Sequence, residues 1–263
     1  MTISDATVVK TNRILVALDT SARGRAALEA ALQLALNSSA ELQGLFVEDE
    51  DLVRLASLPF ACEVDFASAS SHQMQLVNME RALRAAAEET QNAFAQALQQ
   101  RNLQWTFRIV RGTVTQTSLA AAGDVDLLVI GQQGRSPRVM AGNYLPLQSA
   151  KAKRVVAVFD GSPSAIRTLE FATRLAEKHS PALSVLVLAK NGDEVAQQCM
   201  SWIRQAGIRA DVGQLLNPSD DALIDCVRKW PPSMLLINRD SEFIDDTQIC
   251  RLVNEIDCPL IVC

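Results

Sequence analysis

A stretch near the start of the chain is written a second time 141 residues later. RILVALDTSARGRAALEAALQLA, from residue 13, stands against RVVAVFDGSPSAIRTLEFATRLA, from residue 154. Each copy opens with a branched apolar run, reaches an aspartate (Asp19, Asp160) followed by small residues suited to capping a helix, and continues with apolar residues at helical spacing. A further apolar run, 41–47 in one copy and 183–188 in the other, completes a strand, helix, strand unit. The strands of such a unit are parallel and its crossover right-handed. Repetition of this quality predicts two homologous α/β domains in tandem, residues 1–150 and 151–263, joined near 147–153.

The remaining elements follow from the same periodicities. In the first domain the pattern predicts a large insertion holding a short helix over 49–57, ended by Pro59, a polar loop over 67–72, and a long Ala/Glu/Gln/Leu-rich helix over 73–100. A strand over 105–111, a helix over 114–122 and a strand over 127–130 follow. In the second domain helices over 194–205, 220–230 and 247–255 alternate with strands over 208–214, 234–237 and 259–262. That makes five strands in the second domain and four in the first, because the eleven residues from Gly142 to the residue before Lys153 cannot hold another helix and strand. The fourth strand is then a candidate exposed edge. The last strand, 259–263, is also predicted as an edge, able to pair with the first domain or with another chain.

With 48% apolar residues, 263 residues suffice for full cores. The 25 basic and 30 acidic residues are spread evenly over the two domains, so the electrostatic footprint of nucleic-acid binding or of a polybasic membrane contact is missing. The N-terminal residues lack a signal-peptide core and no run is long enough to span a bilayer, which predicts a cytoplasmic protein. The six cysteines are scattered without C-x-x-C spacing and read as apolar thiols. His72 and His179 stand apart from any ligand cluster, so neither a metal site nor a histidine-centred triad is assigned.

The strand over 127–130 runs directly into Gly131, Gln132, Gln133 and Gly134. Glycines there let the chain turn or let another group approach closely, at the strand end where open α/β sheets bind ligands. Together, residues 14–21, 126–135 (DLLVIGQQGR), 154–162 (RVVAVFDGS) and 258–262 (CPLIV) resemble the universal stress protein family in a tandem form. The resemblance implies two doubly wound parallel sheets of the adenine nucleotide alpha hydrolase-like kind, strand order 3-2-1-4-5, with the first lacking its fifth strand. It also implies a stress-response protein that binds ATP or AMP in its first domain, with Mg2+ if the ligand is ATP, in a regulatory role. Asp19 and Thr20 match the acidic end of the family's first strand, and Phe46 and Val47 fall where adenine would rest. Gly131 and Gly134 match the first part of the phosphate signature, G-x-x-G then nine residues then G-S/T, and Gln132, Arg135, Gly142 and Asn143 are counted into the same site. Here the spacing to Gly142 is seven residues, and Asn143 replaces the hydroxyl residue.

The second domain keeps Asp160, Gly161 and Ser162 but has Asn238, Arg239, Asp240, Ser241 and Glu242 after its fourth strand, without glycine. That half is expected to hold no nucleotide. One alternative is a protein that binds no nucleotide and regulates through dimerisation or other protein contacts; another is weak ATP hydrolysis, with Asp19 and Asp160 placing Mg2+ and water rather than capping helices. The partners implied are an adenine nucleotide and either a second copy of the chain or the chain's own other domain.

Overall fold

Four consecutive apolar residues at 14–17 and again at 127–130 leave no polar side chain on either face, so these segments can only be strands covered from both sides. The computed structural model describes residues 13–65, 70–73, 75–131, 154–179, 182–189, 192–216, 218–229 and 231–263. In the first half these form β1 (Arg13–Ala17), α1 (Ala22–Ser38), β2 (Glu41–Asp49), α2 (Glu50–Ala56), β3 (Cys62–Asp65), β4 (Ser70–Gln73), α3 (Leu76–Leu98), β5 (Trp105–Gly112), α4 (Val114–Ala121) and β6 (Leu127–Ile130). The second half contains β7 (Arg154–Phe159), α5 (Pro163–His179), β8 (Ala182–Ala189), α6 (Gly192–Gln205), β9 (Ala210–Leu216), α7 (Asp220–Lys229), β10 (Met234–Ile237), α8 (Asp246–Glu255) and β11 (Leu260–Val262).

Nine strands make one sheet in the order β5-β2-β1-β6-β11-β10-β7-β8-β9. Read from its own edge, the second half is β9-β8-β7-β10-β11, the expected 3-2-1-4-5 order; the first is β5-β2-β1-β6, or 3-2-1-4. Pairing within each half is parallel. At the join it is antiparallel: Ile130 lies opposite Leu260, Val129 opposite Ile261 and Leu128 opposite Val262. β6 is therefore not an exposed edge, and β11, expected as an edge of its own domain able to pair with the first, does pair with the first, so each completes the other's hydrogen bonding. Every residue of both strands is buried.

Helices cover the sheet on both faces. One core packs β1 residues Ile14 and Val16 with α1, α3, α5 and α6, and the other packs Leu15 with α4, α7 and α8. Each core holds residues of both halves. Helix α1 touches α5 on one side of the join, and α4 touches α8 on the other. At the far end of the first half, Phe94 of α3 is sealed by Trp105 and Phe107 of the edge strand β5, with ring centroids 5.6 and 5.4 Å away.

A further correction concerns the inserted segment. Across the end of the predicted polar loop and the first residue of the predicted helix, Ser70–Gln73 pairs antiparallel with Cys62–Asp65 as a small hairpin apart from the main sheet. Its serines and histidine carry no apolar alternation, so periodicity gave no signal for it. The predicted join at 147–153 lies outside the described residues. Among the described residues, no helix is long and apolar enough to cross a membrane.

A sheet and two cores shared across the join should unfold as one unit. Single-tryptophan variants that keep only Trp105 or only Trp202 report on the two halves separately; their urea transitions are expected to coincide. Midpoints that separate would show two independently stable units.

Candidate functional site

In the first half α1 and α4 leave the sheet on opposite faces, which places the topological switch point between β1 and β6. Pairing of β1 with both neighbours stops at Ala17, whereas β2 continues along β5 as far as Asp49. The backbone at Phe46 and Val47 therefore rises past the end of β1, beside the loop that carries Asp19 and Thr20. Both Phe46 and Val47 are buried. Among the sequence-predicted site residues, Asp19, Thr20, Phe46, Val47 and Gly131 converge on this one end of the sheet. Gln132, Gly134, Arg135, Gly142 and Asn143 lie outside the described residues.

Asp19 builds the turn that starts α1. Its Oδ1 accepts from the Ser21 backbone N–H at 3.0 Å and from the Ser21 hydroxyl, whose Oγ in turn accepts from Gly24 N at 3.0 Å as the helix cap. Thr20 is exposed, and its carbonyl accepts from Arg25 Nη1 at 2.9 Å. The second half repeats the construction: Asp160 Oδ1 accepts from Ser162 N at 3.0 Å, and Ser162 Oγ accepts from Ala165 N at 3.2 Å. The caps themselves are Ser21 and Ser162, and the two aspartates, expected as caps, instead accept from these serines one step outside the helices.

The halves part company at the residue after the fourth strand. In the first half it is Gly131, whose N–H donates to Ala17 O at 2.8 Å. A methyl group added there would overlap Ala27 Cβ and come within 3.0 Å of both the Arg23 carbonyl oxygen and Gly24 Cα. Gly24 is equally constrained, since a Cβ on it would press into Asp19. The sequence suggests a turn or a ligand as the reason for Gly131; the structure supplies the close approach of α1 instead.

In the second half the equivalent residue is Asn238, fully buried. Its Nδ2 donates to Asp160 Oδ2 at 2.9 Å and also faces Ser162 Oγ at 3.2 Å and Ser164 Oγ at 3.5 Å. Burial pushes the Asp160 carboxyl up, but the hydrogen bonds from Asn238, Ser162 and Ser241 outweigh it and hold the group below its ordinary range. Asn238 was overlooked as anything but a missing glycine. Its signal in the sequence is a carboxamide following an apolar strand, opposite an aspartate that also follows one.

Where the second half has Ser164, the first has Arg23, only 3% exposed. Its Nη1 donates to the carbonyls of Val253 at 2.9 Å and Ile256 at 3.0 Å, at the C-terminal end of α8. Burial lowers the guanidinium pKa, opposed by Cys258, Asp19 and Asp257 nearby. A cation on the carbonyl end of a helix is favourably placed. Towards the other end of β6, Arg239 Nη1 donates to Ala122 O at 3.1 Å, at the C-terminus of α4. Each half thus sends an arginine to cap a helix of the other.

A family model described as the universal stress protein family matches residues 10–139. No curated relative matches the sequence. Among solved structures, a universal stress protein from Archaeoglobus fulgidus DSM 4304 aligns over 96% of both chains at 15% identity with a TM-score of 0.53, a likeness of fold. Another from Archaeoglobus fulgidus, solved in complex with dAMP, is 20% identical over 43% of this chain and 98% of its own, with a TM-score of 0.35. A universal stress protein solved in complex with cAMP is 12% identical over 42% of this chain and 96% of its own, with a TM-score of 0.34.

Two measurements probe this geometry. Gly131→Ala is expected to destabilise the fold by ~1–3 kcal/mol through overpacking. Combining it with Ala27→Gly should cost less than the two single changes together, as read from urea unfolding; strict additivity would mean that the two residues are not in contact. For Asp160 the folded pKa lies below the unfolded one, so its contribution is present above the unfolded value of about 3.9 and is lost as pH falls through the folded value. The stability gap between the wild type and Asp160→Asn should therefore hold at neutral pH and narrow below about pH 4. A gap independent of pH would contradict the network drawn around Asn238.

Proposed function

The chain belongs to the universal stress protein family through residues 10–139, and on that premise we propose that it is a stress-response protein whose first half holds an adenine nucleotide in a regulatory role. The two halves are taken as domains 1–150 and 151–263, working in the cytoplasm. The observation that carries the reading is the asymmetry at the end of the fourth strand. Asn238 ties Asp160 into a buried side-chain network, whereas Gly131 sends no side chain towards Asp19. Beside Asp19, β2 rises past β1 and offers the backbone of Phe46 and Val47 to a base, at the switch point where such ligands lie. ATP and AMP are the candidate ligands, with Mg2+ accompanying the phosphates of ATP. Both aspartates hold the serines that cap the following helices, and no catalytic residue is assigned.

A second reading, regulation through protein contacts without nucleotide, draws on apolar side chains left in water near the inserted hairpin, Phe60 at 77% and Val77 at 64% exposure. Calorimetric titration of the full chain with ATP and with AMP separates the two. The expected result is saturation at one nucleotide per chain, weakened roughly tenfold or more by Asp19→Asn and unchanged by Asp160→Asn, on the usual strength of a hydrogen bond to a charged group. Absence of saturation with both nucleotides, or weakening by the Asp160 variant alone, would reject the first reading.

A further inference from the structure

At the opposite end of β6 from Gly131, where its N-terminus meets the C-terminus of β11, the join borders an open pocket of about 190 Å³. Its walls come from both halves. Leu119, Ala122, Val125 and Leu128 line it from the first and Val262 from the second, an apolar wall within a lining whose accessible surface is mostly polar. The charged lining consists of two cations, Arg167 and Arg239, and two carboxylates, Asp126 and Asp240.

These four charges are not equally engaged. Asp126 Oδ2 accepts from the Arg13 backbone N–H at 3.1 Å, which commits it to the start of β1. Arg239 is steered by Nη1, which donates to Ala122 O, and by its backbone N–H, which donates to Cys263 O at 2.9 Å. Arg167 and Asp240 have no hydrogen-bond or ion-pair partner among the described residues. The Cys263 thiol, which also lines the space, is hydrogen-bonded by Thr168 and pushed up to about 12 by burial, so it stays neutral and adds no charge. A purely anionic ligand would meet Asp240 and a purely cationic one both arginines. Only a ligand with both signs on a short apolar body satisfies the whole lining.

We propose that this cavity binds a small zwitterion of the α-amino-acid class with an aliphatic side chain. Arg167 and Arg239 receive the carboxylate, Asp240 the ammonium group, and the wall of Leu119, Leu128 and Val262 the side chain. Pairing of guanidinium with carboxylate favours two-point contact, which the compact head group of an amino acid allows. The volume suits about six to nine non-hydrogen atoms and is too small for a nucleotide, taking a water-sized share of roughly 20–30 Å³ for each. This site is separate from the one proposed for adenine nucleotide, since none of Asp19, Phe46, Val47 and Gly131 lines it.

The test is calorimetric titration of the full chain with L-leucine, alongside isocaproate, which lacks the ammonium group, and isoamylamine, which lacks the carboxylate. Leucine is expected to bind saturably at one per chain and both analogues at least roughly tenfold more weakly. Arg167→Ala should weaken leucine by a similar factor. Asp240→Asn should weaken leucine while leaving isocaproate unchanged or tighter. Both side chains are exposed, so circular dichroism and the unfolding midpoint of each variant should match the wild type. No saturation with millimolar leucine, equal binding of isocaproate and leucine, or wild-type affinity in both variants would each overturn the proposal. ATP titrations run in parallel distinguish this outcome from failure of the nucleotide reading, which concerns the other end of the sheet.

Discussion

The antiparallel pairing of β6 with β11 is the constraint on which the rest of the molecule depends. A four-stranded parallel half would end in a row of unpaired backbone groups on Leu127–Ile130, in a strand with no charge to discourage association. β11 occupies the place a fifth strand would take there, running in the opposite direction, and β6 returns the service to β11. Three residue pairs are a short contact for so large a role. What makes it sufficient is that the two cores continue across it, through α1 and α5 on one face and α4 and α8 on the other. The crossed arginines, Arg23 on α8 and Arg239 on α4, then tie each half to a helix of the other on the face where α4 and α8 meet.

Pairing two similar halves this way frees them to diverge at their ligand ends. In one, glycines at 24 and 131 let α1 settle against the end of β6, with Ala27 filling the contact. In the other, Ala165 and Thr168 stand at the positions of Gly24 and Ala27, and the space is bridged by the Asn238 carboxamide and the hydroxyls of Ser162 and Ser164. Tight apolar contact and a buried polar network solve the same packing problem, but they treat the neighbouring aspartate differently. Asp160 is held by Ser162 and by Asn238; Asp19 is held by Ser21, and Gly131 adds no side chain there. A burial cost that would raise the Asp160 pKa is overcome by its partners, which marks that network as structural.

Much of the architecture was legible in the sequence because it rests on local periodicity. Strands such as 127–130 and 234–237 are found where their apolar runs lie, and α3, predicted over 73–100, spans Leu76–Leu98. What the pattern could not convey is which strand neighbours which. The run at 259–262 has the same character whether it ends a sheet or sits at its centre, and only packing against the other half decides. The inserted hairpin escaped for the converse reason, since Cys62–Asp65 pairs with an all-polar strand, Ser70–Gln73, that has no apolar alternation of its own. At the site, the convergence of Asp19, Phe46, Val47 and Gly131 followed from strand ends, but the reason for Gly131 did not. A glycine that admits a helix and one that admits a ligand look alike in a sequence. Arg23 was equally silent, since a first-turn arginine is ordinarily solvated, and here its partners lie 230 and 233 residues away.

Native-state amide hydrogen exchange, resolved by residue, tests the central claim most directly. If the β6 and β11 pairing joins the halves into one structure, the amides of both strands exchange only through global unfolding, at the same free energy as those at the centres of β1 and β7. Exchange of β11 through a smaller opening, with β1 and β7 still protected, would contradict it.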